Sequence, residues 1–552
     1  MFRKKPLLIL GFILVFAFAV RVVGIGYGLP LWLVGDEPPF VTATLKMIEL
    51  KNPLPTFHLE EFKKILYFPP YISYLYLFPF SVLLGVKYVL FGGTIEAFKN
   101  FVTTDLSSFF LLARFINVII GTLTVFFVYK IGKNIFHNAW VGILTSFFLA
   151  TSILHINLSS VARDWVPATF MFVLAIFFLT NPSYSLKKRY LLGALISGLA
   201  FGISLIGGFI MVFMLLFYLL YERRNILDVF KEKTLYLSLI IFLLFAGISI
   251  AFYPFGFHLL GDNSLAVSKS WLGFLERTDA FIRPIILSEP VLAFFAFIGS
   301  AAMFKRNRPL FWTVISFILI YLGIFYLMYH YGYRFTIYFF PLLALMAGYG
   351  WHAAFILIQS SSLRFALFIL LMIPVATSVQ FDMLAVKNDS RIQAIRWLEK
   401  SLPANSKIIV SARLTRLPTT NEALREQESI DPKSLRQMDR AQLTYNFPLT
   451  DQKYFHSLNL YTIINPSFYK NIDAYAKDNN YIYLLEDSLF SKNSNEDNGS
   501  LHKYAKQENR MAEFGNPQTS YSIAESNFGN IVQFFKLKSL GPKIEIYKLV
   551  YE

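Results

Sequence analysis

The sequence has no cysteine. Disulfides, thiolate nucleophiles and thiolate metal sites are therefore excluded, and the redox compartment cannot be read from it. Charge is the second shortage: Asp, Glu, Lys and Arg make up 16% of 552 residues, against about 25% in an average soluble domain. Apolar residues reach 55% and aromatic residues 18%, more than one soluble core can bury, so lipid is the expected solvent over most of the chain. Acidic residues are scarce too, and the formal charge of +16 invites a nucleic-acid reading. Its distribution argues otherwise. Residues 1–381 carry 29 basic and 15 acidic side chains and residues 382–552 carry 22 and 20, so +14 of the +16 lies in the apolar part. That is the pattern of cytoplasmic loops under the positive-inside rule, and no nucleic-acid partner is expected.

Apolar runs near the length that crosses a bilayer, about 17 to 25 residues, fall at 7–25, 108–129, 139–157, 165–181, 190–206, 207–221, 235–254, 285–304, 309–328, 336–357 and 365–381. The first continues past any cleavage site, so it is read as a span and not as a signal peptide. A further run, 71–92, follows Pro69-Pro70 and is interrupted by Pro79. With Arg3-Lys4-Lys5 inside and 71–92 not crossing, the clusters at Lys130/Lys133, Lys187-Lys188-Arg189, Arg223-Arg224, Lys305-Arg306 and Arg364 all face the cytoplasm. The expectation is about eleven spans, with 71–92 re-entrant or lying along the outer interface within one long first outer loop, 26–107.

From 382 the chain has ordinary charge and mixed helical and strand patterns. Asp389 to Glu399 carries a cap residue and helical apolar spacing, stopped at Pro403. Segments 407–410, 481–485 and 543–551 read as strands, and 490–520, rich in Ser, Asn, Glu and Lys, reads as a mobile loop. The expected organisation is a polytopic α-helical membrane domain, 1–381, followed by a soluble α/β domain, 382–552, on the outer side.

Asp36-Glu37 follows the first span, and Arg163-Asp164 precedes the fourth. Each Asp lies two or three residues before a proline, so the plain alternative is a helix N-cap. Two such carboxylates on one face, beside Glu37 and Arg163, point instead to function, because ionisable groups near a bilayer are costly.

The ordered series Asp36-Glu37, Tyr67-Phe68-Pro69-Pro70-Tyr71, Ala113-Arg114, Arg163-Asp164, Tyr333-Arg334 and Ile395-Arg396-Trp397-Leu398 resembles the C-type (GT-C fold) lipid-carrier-dependent glycosyltransferases. Within them it is similar to the protein O-mannosyltransferase and lipid A aminoarabinose transferase group. The resemblance implies transfer of a monosaccharide from a polyprenyl-phosphate donor to an extracytoplasmic acceptor, whether lipid, glycan or protein. It assigns Asp36 as general base, with Glu37 and Asp164 beside it. The leaving phosphate needs positive charge, for which Arg334, Arg163, Lys63, Lys64 and the neighbouring Tyr333 are candidates. Tyr67, Trp165, Trp271 and His330 are candidate substrate contacts, although Tyr and Trp at an interface also serve as plain anchors. A divalent metal between Asp36 and Asp164 is left open, since no short-spaced ligand pair is seen. A plasma (inner) membrane location with the site outside is expected. The rival readings are a transporter or flippase of lipid-linked sugar, for which no inverted repeat is evident, and an outer adhesion module on an oversized anchor.

Overall fold

The computed structural model describes residues 5–225, 227, 231–260, 271–327, 332–412, 415–436, 439–440, 442–443, 453–487, 501, 503–516 and 529–551. Long apolar segments form helices because lipid offers no partners for backbone N–H and C=O groups. Residues 5–104 give α1 (Lys5–Val22), α2 (Pro38–Glu49), α3 (Leu59–Phe62), α4 (Tyr71–Phe91) and α5 (Ile95–Thr104). The bundle continues with α6 (Ser107–Phe136), α7 (Ala139–Ala150), α8 (Ile153–Ser159), α9 (Trp165–Leu179), α10 (Leu186–Ile203) and α11 (Phe209–Leu216). It closes with α12 (Lys233–Phe252), α13 (Trp271–Ser288), α14 (Pro290–Arg306), α15 (Arg308–Leu327), α16 (Phe340–Leu357) and α17 (Ser361–Val386).

Helix occupies every apolar range expected to cross. Among the described residues six helices are long and apolar enough to span a membrane, or up to eight when bent pairs are joined, so the chain is a multi-pass membrane protein. Two of the expected straight runs are broken. The 139–157 run bends by 63° between α7 and α8, and the 285–304 run contains a 108° turn between α13 and α14. The first break has a visible cause and a visible remedy. Ser152 caps α8 by accepting from His155 N, while Arg21 of α1, fully buried, donates to the α7 carbonyls of Leu149 and Ala150 at 3.2 Å. Those are the acceptors a helix end leaves orphaned.

Residues 71–91 form one unbroken helix despite Pro79, so no re-entrant hairpin exists there. By length and composition α4 is one of the six helices able to cross. Its rings meet three elements: Tyr71 and Tyr74 meet Phe252 in the last turn of α12, Phe80 meets Phe109 in the first turn of α6, and Tyr88 and Phe91 meet Phe98 of α5. Close packing elsewhere depends on glycine. A Cβ added to Gly299 of α14 would lie 1.9 Å from Met346 O of α16, and one on Gly350 would lie 2.0 Å from Phe295 O. Only small residues let two membrane helices approach so closely.

After α17 the chain builds α18 (Ser390–Ser401), α19 (Asn421–Ile430), α20 (Ile472–Asp478) and strands β1 (Lys407–Ser411), β2 (His456–Asn459), β3 (Tyr483–Asp487), β4 (Arg510–Phe514) and β5 (Ile544–Lys548). The sheet order is β2-β1-β3-β5-β4. The first three are parallel, while β5 runs antiparallel to β3 and β4 antiparallel to β5. Strand β4 lies inside the range expected to be a mobile loop; its edge position and exposed Arg510 and Met511 hid it from an apolar-pattern reading. Residues 490–500, 502 and 517–520 of that loop lie outside the described residues. The last apolar helix also continues to Val386, five residues past the expected boundary at 381.

A buried polar knot ties this sheet region to the bundle. Tyr27, just past α1, donates to Asp389, and Arg391 donates to the same carboxylate at 2.8 and 3.1 Å. Asp389 also accepts from Arg391 N at 2.9 Å, the α18 cap read from sequence. Removing one partner of a buried ion pair typically costs about 3–5 kcal/mol. Asp389→Ala is therefore expected to accelerate limited proteolysis of the 382–406 segment by orders of magnitude; an unchanged cleavage rate would contradict the anchoring role.

Within the sheet region Glu426 of α19 accepts from His456 Nε2 at 2.5 Å, Tyr475 at 2.6 Å and Tyr481 at 2.7 Å. Burial pushes its carboxyl up, but these three donors and the His456 charge outweigh burial and hold it down at about 2, from an ordinary 4.5. A depressed carboxyl stabilises the fold above its unfolded pKa and loses that contribution as pH falls. Acid unfolding of this region is expected to steepen between pH 4.5 and about 2, and Glu426→Gln is expected to flatten that limb of a pH titration followed by circular dichroism.

Candidate active site

The site grows from one face of α6. Arg114, Asn117 and Gly121 recur at helical spacing, and the two polar side chains are fully buried. Arg114 forks onto Glu37, Nε to Oε1 at 2.9 Å and Nη2 to Oε2 at 2.5 Å, and its Nη1 donates to Ile25 O and Tyr27 O at 2.7 and 2.8 Å. Glu37 Oε1 also accepts from Ala162 N at 2.6 Å. Asn117 Nδ2 donates to Val161 O and Arg163 O at 2.7 and 2.9 Å, and its carbonyl accepts from Tyr76 of α4 at 3.2 Å. At Gly121 a Cβ would sit 2.4 Å from Ser159 Oγ, so glycine is what admits the 159–164 turn. Together these contacts fix the loop after α1 against the loop before α9.

On that frame Asp36 takes a left-handed backbone conformation, φ 63°, uncommon for a residue with a side chain. Its carboxylate is 42% exposed and lies 3.2 Å from Arg163 Nη2, whose side chain is only 5% exposed. Capping does not account for either Asp. Glu37 occupies the N-cap position of α2 and Asp164 that of α9, and neither makes a side-chain cap bond. Asp164 lies beside them, buried; burial pushes its carboxyl up, against the lowering by Arg163 and by the Ser204 hydroxyl. Tyr67 faces the same place: burial and then the Asp36 charge push its hydroxyl up to about 12, with Arg163 opposing. Arg163 Nε, Asp164 Oδ1 and Trp165 Nε1 are buried without a protein partner, which leaves hydrogen-bonding capacity on three consecutive residues of the site.

Six residues expected from sequence thus converge: Asp36, Glu37, Tyr67, Arg163, Asp164 and Trp165. Their neighbour is the 3₁₀ segment Tyr333–Phe339, whose Phe335 ring meets Trp165 edge-on at 4.8 Å. Arg334 lies in this segment with its guanidinium over the Phe335 ring at 5.2 Å. Tyr333 is turned elsewhere. Its buried hydroxyl bonds Ser288 and Glu289, each at 3.2 Å, at the α13–α14 bend. Lys63 pairs with Glu60 at 3.0 Å on an exposed stretch, and Lys64 is exposed beside it. Trp271 opens α13, with its side chain outside the described residues, as is the whole of His330. Among the described residues no group of three or more His, Asp or Glu is placed to hold a metal ion.

Arg114 was quoted in the sequence series without a role, and Asn117 and Glu289 were not singled out. The signal for Arg114 was present, since an Arg inside an apolar span needs a partner; its partner 77 residues away was not visible.

Residues 103–250 match the family model described as dolichyl-phosphate-mannose-protein mannosyltransferase. Over these residues the match bears out the resemblance carried by the ordered motifs. No curated protein matches it in sequence. Among solved structures it is similar to the apo oligosaccharyltransferase of Archaeoglobus fulgidus, at 13% identity over 88% of this chain and 70% of that one, TM-score 0.48. It is also similar to ArnT from Cupriavidus metallidurans in the apo state, at 16% identity over 70% of this chain and 72% of that one, TM-score 0.44.

Arg114→Met would leave the Glu37 carboxylate buried without its cation, at a cost of about 3–5 kcal/mol. A drop in unfolding temperature in detergent is expected, and Arg114→Lys is expected to recover little of it, because an ammonium cannot reproduce the two-pronged contact. Full stability in the Lys variant would show that charge alone suffices.

Proposed function

We propose that this protein transfers a monosaccharide from a polyprenyl-phosphate donor to an acceptor on the non-cytoplasmic face of a membrane, with inversion at the anomeric carbon. The observation that carries the proposal is the half-open Asp36 carboxylate held 3.2 Å from Arg163 on a buried frame. The family match, whose description prints a lipid-phosphate-linked mannose, supports the donor class. Basic loops, read as cytoplasmic, support a site on the opposite face, where nucleotide sugars are absent and a lipid carrier must deliver the sugar. The proposed division of labour is a membrane-embedded transferase of about residues 1–381 and an outer α/β domain from 382, in a prokaryotic plasma membrane.

In this reading Asp36 Oδ takes the proton of the acceptor nucleophile as its lone pair attacks the anomeric carbon. The bond from that carbon to the phosphate oxygen breaks, and its electron pair leaves with the phosphate. Phosphate is already a good leaving group, so a positive environment serves in place of a general acid. Arg163 orients Asp36 through their 3.2 Å contact. Arg334, on the segment packed against Trp165, is the proposed phosphate cation because a guanidinium can fork onto two oxygens. Lys63 and Lys64 are assigned at most an outer steering role, given the Glu60 pairing of Lys63. Tyr67 and Trp165 offer rings to the sugar.

With polyprenyl-phosphate mannose as the probe donor, Asp36→Asn is expected to lower transfer by about 10²–10⁴-fold while donor binding and unfolding temperature stay unchanged. Transfer above a tenth of wild type would remove Asp36 from the base role.

A further inference from the structure

A cavity of about 380 Å³ lies where the end of α1, the end of α17 and the start of α18 meet, away from the Asp36 carboxylate. Its size is within the usual range for small-ligand sites, roughly 300–1,000 Å³. The helices join directly at its floor, where a Cβ on Gly24 would lie 3.0 Å from Ala385 Cβ. Its lining is part polar and part apolar. Lys387 and Arg396 stand on the polar side, both exposed, and neither makes an ion pair among the described residues. Glu399 is the one acidic side chain in the lining, and the nearby Arg391 charge is already neutralised by Asp389 at 2.8 Å. A net positive charge therefore faces the cavity.

The apolar side identifies what that charge meets. Val23 and Val386 line the cavity and are 46% and 65% exposed. Each ends an exposed apolar column: Phe12, Val15 and Val23 along α1, and Val379, Met383 and Val386 along α17. The spacing 379, 383, 386 keeps one face of α17 toward lipid. Two lipid-facing columns thus converge on a cationic pocket at the level where the bundle gives way to the sheet region.

We propose that this cavity binds the phosphate-bearing headgroup of an anionic phospholipid, with the phosphate between Lys387 and Arg396 and the acyl chains along the α1 and α17 columns. Such a lipid would bridge the bundle and the sheet region beside the Tyr27–Asp389–Arg391 knot. The assignment does not depend on the proposed transferase activity.

The test uses the full-length protein in mild detergent, with phosphatidylglycerol, phosphatidylcholine and glycerol 3-phosphate as probes and bound lipid counted by native mass spectrometry. At about fivefold per cation near a phosphate headgroup, phosphatidylglycerol is expected to bind roughly thirtyfold more tightly than phosphatidylcholine. Lys387→Gln with Arg396→Gln is expected to erase that preference without changing the unfolding temperature, as both side chains are exposed. Equal affinity for the two lipids in wild type, or an undiminished preference in the double variant, would overturn the proposal. Displacement of phosphatidylglycerol by equimolar glycerol 3-phosphate would overturn it too, by showing a site for soluble phosphates.

Discussion

The buried Glu37–Arg114 pair is the constraint on which the rest of the site depends. A carboxylate and a guanidinium with no exposed surface are tolerated only when paired and hydrogen-bonded. Here all three nitrogens of Arg114 and both oxygens of Glu37 are used: two contacts between them, two backbone carbonyls after α1, and the Ala162 amide. Because those carbonyls and that amide belong to different loops, satisfying the charges and assembling the loops are one event. Asp36 then has little freedom. It sits between Gly35 and an immobilised Glu37, in a left-handed conformation. Strain of this sort costs of order 1–3 kcal/mol and persists only where surroundings over-determine it.

The same economy recurs at helix breaks. Arg21 serves the carbonyls opened by the α7–α8 bend, and Glu289 at the α13–α14 bend accepts from Ser152 at 2.8 Å and Leu154 N at 3.1 Å, at the start of α8. The two bends are therefore linked through one carboxylate. Irregular backbone at membrane depth is expected only where protein supplies such partners or a cavity is lined. These breaks lie at the end of the bundle that carries Asp36. At the opposite end of α6 Tyr129 packs against Leu10 and Ile143.

Much of this was legible in the sequence, for reasons that differ between parts. Apolar length alone located the bundle helices. Asp36, Arg163 and Asp164 stood out because charge is rare in this chain, so each one near a span is informative. What the sequence could not carry was pairing at long range. Glu37 read as a minor neighbour of Asp36, while its carboxylate points to a residue 77 positions away. Tyr333 read as a phosphate contact by its position next to Arg334, yet adjacent side chains on a 3₁₀ segment diverge, and its hydroxyl was taken by Glu289. The bend at Thr151-Ser152 was hidden because both residues also suit a helix interior facing lipid. Strand β4 was hidden because an edge strand with Arg510 and Glu513 looks like a loop by composition.

The central claim is a single displacement at the sugar, with one base and no covalent intermediate. The most direct measurement is the anomeric configuration of the product, by nuclear magnetic resonance, after transfer from a β-linked polyprenyl-phosphate sugar. The account predicts an α-linked product. A β-linked product would require two displacements, and would contradict the assignment of Asp36 as the base of a direct transfer.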